Sequence, residues 1–265
     1  MHLHQANNII KHKNITRHFY MKKHFTILSA ILITLFSLNA KAQDDKPVAK
    51  SYLTFMGGTS IPVGSFASTN YSDNSSGYAK KGATFGLDAA VYIYKNLAIG
   101  ATFSFQDQGE LSQADAQNLA NGYNSSFDKN QTSVTTENRY HNLNLMAGPQ
   151  YSFLYKNFTF DLRADAGVIK SSSTPSLIIV FDYSANSGST YNQLSSGSTV
   201  LAYGGSFGFR YSLSDSWDAG IRVNYVTSSG FKIDNTGGDA GTVGRFQTTL
   251  PIHEIQTTIG MTLKF

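Results

Sequence analysis

Between residues 51 and 265 the chain alternates repeatedly between a bulky apolar residue and a small or polar one. A period of two is the mark of a β-strand with one apolar and one polar face. The last stretch, Thr248 to Phe265, carries it most strictly. From Ile255 the odd positions are Ile255, Thr257, Ile259, Met261, Leu263 and Phe265, and the even ones Gln256, Thr258, Gly260, Thr262 and Lys264. Upstream, Ser51 to Ser60 predicts a first strand with Leu53 and Phe55 on its apolar face. Ile61-Pro62-Val63-Gly64 ends it, because proline cannot donate to a ladder.

Three hairpins lie between these two strands. The first joins ATFGLDAAVYIY to LAIGATFSFQ through Lys95-Asn96, and the second joins HNLNLMAGPQYSFLY to FTFDLRADAGVIK through Lys156-Asn157. The third joins TVLAYGGSFGFRYSL to WDAGIRVNYVTSS through Ser214 to Ser216. Connections this short are what hairpins use, and the two Tyr-Lys-Asn turns repeat one another. Eight strands result, with three short turns and four long polar loops, roughly 61–82, 107–139, 171–198 and 229–247. Trp217 to Thr227, eleven residues, is about 36 Å at ~3.3 Å per residue. Tilted by ~40° it spans about 28 Å, against an apolar band of ~25 Å in a membrane barrel.

The N-terminal region has a different character. Met21-Lys22-Lys23-His24, the apolar run Phe25 to Leu38 and the Ala40-Lys41-Ala42 site form a signal peptide over 21–42, so the mature chain is expected to start at Gln43. Fourteen apolar residues are too few for a membrane helix. Residues 1–20 are polar, His-rich and unpatterned; Met21 is the more natural start, with a long n-region as the alternative. Residues 43–50 are a short linker and 51–265 the barrel domain. Residues 1–42 hold six of the 21 basic residues and none of the 17 acids, which leaves 15 basic against 17 acidic, a net of −2. No basic surface points to nucleic acid. The absence of cysteine excludes disulfides, thiolate metal sites, a Cys nucleophile and a lipid-modified N-terminal Cys.

Alternation alone does not say which face is outside; side-chain volume does. One face carries Phe158, Phe160, Leu162, Leu201, Tyr203, Phe207 and Phe209, and the other Gly86, Asp88, Gly100, Thr102, Asp161, Arg163 and Gly208. The interior of an eight-stranded barrel is only just wide enough for side chains to fill. Aromatics pointing inward from every strand would overfill it, so the bulky face is expected to meet lipid. The inward set then offers Asp88, Asp161, Asp165, Asp218 and Glu254 against Arg163, Arg210, Arg222 and Lys264. Unpaired, such charges are costly away from water. They are expected to form a lumen polar network, read either as a proton or ion path or, in a barrel with no aqueous channel, as a plug. Trp217, Tyr155, Phe158 and Phe265 fall at the turn side, where an aromatic girdle belongs.

Together these features resemble the small OmpA/OmpX-type outer-membrane β-barrels, and the Lys-Ala-Gln leader end is similar to those of Bacteroidota. The resemblance covers about 51–265 and rests on pattern and the terminal strand. It implies an all-β fold: an eight-stranded antiparallel up-and-down transmembrane barrel with short periplasmic turns and long extracellular loops, in the cell outer membrane. It also implies that Ile259, Met261, Leu263 and Phe265 form a C-terminal signal read by the barrel assembly machinery. A departure from OmpA is that no periplasmic peptidoglycan-binding domain follows Phe265, so a tether to the cell wall is not expected.

Chemistry is sparse. His141 and His253 lie near the loop ends of strands in the outward register. Lipid A deacylases of this size carry His and Ser two apart on one strand. Here the residues two away are Arg139, Leu143, Pro251 and Ile255, so the pair is missing, and neighbours His253 and Glu254 point to opposite sides. No metal spacing, phosphate loop or nucleophile elbow occurs, so no cofactor and no enzymatic activity are expected. In the loops, the apolar run Ser176 to Tyr183 either lengthens a hairpin and offers an edge to a partner or covers the barrel mouth. Leu111 to Tyr123 predicts one short helix over that mouth, with Leu111, Asp115 and Leu119 on one side. The expected role is that of a monomeric structural or interaction protein acting through its extracellular loops. Its partners are outer-membrane lipid, the assembly machinery and an extracellular or envelope protein; a lipid-A-modifying enzyme and a narrow pore are the alternatives.

Overall fold

The structure is a computed structural model describing residues 49–73, 75–127, 131–181, 190–233, 235–236 and 249–265. The expected signal peptide and the segment before it lie outside these residues. In chain order the elements are β1 (Tyr52–Pro62), α1 (Gly64–Ala67), β2 (Gly82–Tyr94), β3 (Leu97–Asp107), α2 (Gln113–Phe127), β4 (Thr132–Glu137) and β5 (His141–Tyr155). There follow β6 (Phe158–Ser173), β7 (Ser176–Phe181), β8 (Thr190–Gln193), β9 (Ser198–Ser212) and β10 (Trp217–Ser228). The chain ends with β11 (Phe231–Lys232), β12 (Asn235–Thr236), β13 (Thr249–Leu250) and β14 (His253–Lys264).

Eight strands close an antiparallel barrel in the order β1-β14-β10-β9-β6-β5-β3-β2. The terminal strand seals it: β14 pairs with β10 from Trp217↔Leu263 to Thr227↔His253, and with β1 from Tyr52↔Lys264 to Pro62↔Glu254. Two of the short turns are built alike. Lys95 and Lys156 take left-handed φ values of 42° and 53°, which a mirror-image two-residue turn requires at its first central position. Each ammonium lies over the ring of the tyrosine before it, 5.4 Å away at Tyr94 and 5.5 Å at Tyr155.

The volume argument holds along the barrel. Phe55, Phe103, Leu145, Phe153, Leu162, Leu201, Tyr203, Phe207, Ile221, Tyr225, Ile259 and Met261 face outward and are exposed, whereas Asp88, Thr102, Ser104, Asp161, Arg163, Arg210, Arg222 and Asn224 are buried inside. On the turn side Tyr94, Tyr155, Trp217 and Phe265 are exposed aromatics. Phe158 and Phe160 of β6 pack on Phe209 of β9, with ring centroids 5.4 and 5.3 Å apart.

β5, β6 and β9 have 15, 16 and 15 residues, so at ~3.3 Å per residue and ~40° tilt they exceed a ~25 Å apolar band by about 13–15 Å. A folded loop layer stands beside this wall. Its sheet has the order β12-β8-β7-β4, and α2 packs on it through Leu119 and Tyr123 against Leu177, Ile179 and Val134. The helix thus forms where Leu111 to Tyr123 predicted it, two residues later at its start and four later at its end. The apolar run of β7 is not a sheet edge, contrary to one of its two readings. β7 lies between β4 and β8 and pairs with both, because Leu177 and Ile179 are drawn under the helix. Asp182 and Tyr183 of that run lie outside the described residues.

A second apolar cluster closes the barrel mouth. Phe66 of α1, Tyr140, Met146, Ile169, Val226, Phe231, Leu250 and Ile252 are packed together and buried, with the Phe66 and Tyr140 rings edge to face at 5.0 Å. The Tyr140 hydroxyl donates to the carbonyl of Gly77 at 2.8 Å and ties the first loop down.

Phe207 faces outward near the middle of β9. A cation there meets hydrocarbon, so Phe207→Arg is expected to cost about 2–4 kcal/mol. Denaturant midpoints of protein folded into lipid vesicles measure this; Phe207→Leu is expected to leave the midpoint nearly unchanged.

Candidate functional site

The inward charges assemble into one continuous ladder. Arg163 Nη1 lies 2.9 Å from Asp88 Oδ1, and Arg222 Nη2 lies 2.9 Å from Asp88 Oδ2 and 3.5 Å from Asp161. Arg210 bridges Asp161 at 2.9 Å and Asp218 at 3.2 Å, and Lys264 Nζ closes on Asp218 at 2.6 Å near the turn side. Asp165 flanks the top, 3.9 Å from Arg163. Neutral groups complete the first layer of contacts. Thr102 Oγ1 donates to Asp88 at 2.6 Å, Ser152 Oγ donates to Asp161 at 2.6 Å, and Arg163 donates to Gln150 Oε1.

At the centre sits Tyr52. Its hydroxyl accepts from Arg222 at 2.8 Å and donates to Asp88 at 3.0 Å, and its ring lies under the Arg210 guanidinium, 4.0 Å from ring centroid to Cζ. The sequence reading passed over Tyr52, although it shares the parity of Thr54 and Met56 and so had to point inward. Two glycines make room: a Cβ at Gly100 would overlap the Arg163 guanidinium, and one at Gly208 would press on Arg222 and Asp161. Strand parity predicted the small residues but not which cation each would face.

Glu254, expected within this network, departs from it. Among the described residues it forms no ion pair. Ser60 Oγ and Gln108 Nε2 donate to its Oε2 at 2.8 and 2.7 Å, and Asn144 Nδ2 and Gln256 Nε2 donate to its Oε1, both at 2.7 Å. Position along the strand explains the difference. Glu254 lies at the loop end of β14, opposite Pro62, while Lys264 lies at the turn end, opposite Tyr52. The ladder therefore joins four acids to four bases, and Glu254 belongs to a separate layer of amides and hydroxyls nearer the mouth.

The histidines are engaged elsewhere. His141 Nε2 lies 3.7 Å from Asp107, which Arg139 also holds at 2.8 Å. Ser173, the register partner of His141, donates to the Arg139 carbonyl instead. His253 Nδ1 shares a hydrogen bond with Thr227 Oγ1. No group of three or more metal-ligating side chains occurs among the described residues.

Above the lumen, Lys80 at the rim pairs with Asp115 in the first turn of α2, where Ser112 also donates to the carboxylate. Burial acts to raise the Asp115 carboxyl, but the hydrogen bonds from Lys80 and Ser112 outweigh it and hold the group below its ordinary range.

A closed eight-stranded barrel with an apolar, aromatic exterior and a polar, filled interior defines an outer-membrane barrel. The chain belongs to the outer membrane protein beta-barrel domain family, whose model matches residues 28–250, and its place is the cell outer membrane. No match among curated proteins was found. Of solved structures it is similar to Neisserial surface protein A, at 14% identity with 83% of this chain and 100% of that one covered and a TM-score of 0.41. It is similar also to a major outer membrane protein from Thermus thermophilus, at 10% identity, 81% and 99% coverage and 0.41. A third is the outer membrane protease OmpT from Escherichia coli, at 8% identity, 84% and 100% coverage and 0.35. At this identity and score none of the three speaks to what the chain does.

Removing Arg222 leaves the buried group of Asp88 and Asp161 one cation short, with Arg163 and Arg210 still in contact. Arg222→Met is expected to cost about 3–5 kcal/mol, as breaking a buried pair does. The double change Asp88→Asn with Arg222→Met is expected to recover much of that loss in the same unfolding titration. At the rim, a lowered carboxyl stabilises the fold fully above its unfolded value of about 3.9 and loses that contribution as pH falls through the folded one. Amides of Gln113–Phe127 are thus expected to lose hydrogen-exchange protection relative to the barrel strands below about pH 4, and Lys80→Met is expected to reduce the difference, with the Ser112 bonds to Asp115 retained.

Proposed function

We propose that this barrel is a closed, non-conducting, non-catalytic support that holds a folded extracellular layer for contact with a partner outside the cell or within the envelope. The observation that carries the reading is the succession of side-chain layers that occupies the lumen. The ion-pair ladder, the amide layer around Glu254 and the apolar cap of Phe66, Tyr140, Phe231, Leu250 and Ile252 follow one another from turn side to mouth. Function then falls to the surface of the loop layer, where connecting segments on a rigid scaffold most often carry it. The strand face turned away from α2 presents Ser133, Thr135 and Glu137 beside Ile178, a mixed polar surface suited to a protein contact. The same reading takes Ile259, Met261, Leu263 and Phe265 as the strand end presented to the assembly machinery, and takes His141 and His253 as rim residues without a catalytic role.

Because the chain lacks cysteine, single cysteines test this arrangement cleanly. A membrane-impermeant maleimide is expected to label Thr135→Cys on intact cells and Asp215→Cys, in a periplasmic turn, only after lysis. A photo-crosslinker on Thr135→Cys is expected to capture one defined protein, and purified protein in planar bilayers is expected to show no steady conductance. Stable single-channel steps would support a pore instead. Lipid A acylation that changes with wild type but not with His141→Ala would support an enzyme.

A further inference from the structure

Among the described residues, Glu254 is the one lumen carboxylate that the ladder leaves without a cation. Asp88, Asp161, Asp165 and Asp218 already engage Arg163, Arg210, Arg222 and Lys264. The side chain of Glu254 is fully buried, where an uncompensated charge is expensive. We propose that the layer around Glu254 binds a small monovalent cation of the sodium class.

Two observations point there. The four groups that face the carboxylate, on Ser60, Gln108, Asn144 and Gln256, are all donors. Ser60 Oγ itself accepts from Gln108 Nε2, so its proton is committed to Glu254. A carboxylic acid in this arrangement would set its O–H against a donor.

Amide oxygens of the same network supply the second observation. Asn144 Oδ1, Asn142 Oδ1, Gln106 Oε1 and Asn224 Oδ1 are buried and accept no hydrogen bond from the described residues. All four belong to the hydrogen-bonded system of Glu254. Asn144 donates to it directly, Asn142 donates to Gln108, Asn224 donates to Gln256, and Gln106 reaches Gln256 through Ser104. Gln106 and Asn142 are register partners on β3 and β5, and Asn144 lies two residues further along the same inward face. The layer thus holds one negative charge and a surplus of hard oxygen acceptors, and such carbonyl oxygens replace the hydration shell of a monovalent ion.

Charge selects the ion class. One carboxylate and neutral amides balance a single positive charge, while a divalent ion would leave the layer positive by one. Water would satisfy the amide oxygens but bring no charge.

The test uses the folded full-length barrel in detergent, with sodium chloride or choline chloride at equal ionic strength. Two readouts are followed: the temperature at which the unboiled protein loses its compact gel mobility, and the sodium-23 NMR linewidth. Binding of the native state alone raises that temperature by mass action. The wild type is expected to gain several degrees in sodium over choline, saturably, with a broadened sodium line. Glu254→Gln is expected to lose both effects while retaining the ladder. Equal temperatures in the two salts with no broadening would overturn the proposal and leave water or a proton as the occupant. A sodium shift that persists undiminished in Glu254→Gln would also overturn it. Should that variant not fold, the comparison of salts on the wild type decides alone.

Discussion

The narrowness of an eight-stranded barrel is the constraint on which the rest depends. Its interior admits few large side chains, so the large apolar ones go to lipid and the inner face is left to glycine, serine, threonine and a few long polar residues. Those long residues then lie within reach of one another across the lumen. Arg163 on β6 contacts Asp88 on β2, and Arg222 on β10 contacts both Asp88 and Asp161 on β6. Packing and electrostatics follow from a single geometric cause. Gly100 and Gly208 are small because the guanidinium groups of their neighbours need the space.

The same narrowness makes charge balance strict. Bulk water does not reach a stray ion in this lumen, and removing one member of a pair leaves the other uncompensated. Arg210 shows the degree of sharing: it contacts Asp161, Asp218 and the ring of Tyr52 at once. A network joined in this way responds as a unit, so deleting one member disturbs neighbours two contacts away. Glu254 escapes this rule only because a different set of groups surrounds it, and that difference makes its charge the unusual one.

Much of this was legible in the chain because period-two alternation reports a face directly. The ends of β5 fall where the pattern placed them, and the parity that put Asp161 and Arg163 inward is the parity the barrel shows. What alternation does not report is height and angle around the barrel. Alternation alone does not separate Glu254 from Lys264, both inward on β14, though one is held by amides near the mouth and the other by Asp218 near the turns. Tyr52 was missed for a similar reason: it opens a strand, and an aromatic reads as lipid-facing until its parity is counted. The β7 run looked like a sheet edge because the elements that flank it, β4 and β8, are short and polar and carry almost no pattern of their own.

The ladder also answers a question that the lipid face leaves open, namely how the strands find one register. A one-residue slip exchanges the two faces and puts charge into hydrocarbon, so the apolar pattern alone forbids it. A two-residue slip preserves the faces and costs the exterior little. It would carry Asp88 past both Arg163 and Arg222, and Asp161 past Arg210, breaking contacts on four strands together. The ion pairs therefore distinguish registers that burial cannot, and they do so through residues placed around the whole circumference. In a barrel closed by its own first and last strands, an error anywhere must be absorbed at the β1–β14 seam. Lys264 and Tyr52 meet at that seam, and each is bound into the ladder. Closure and charge pairing are thus satisfied by the same arrangement of strands.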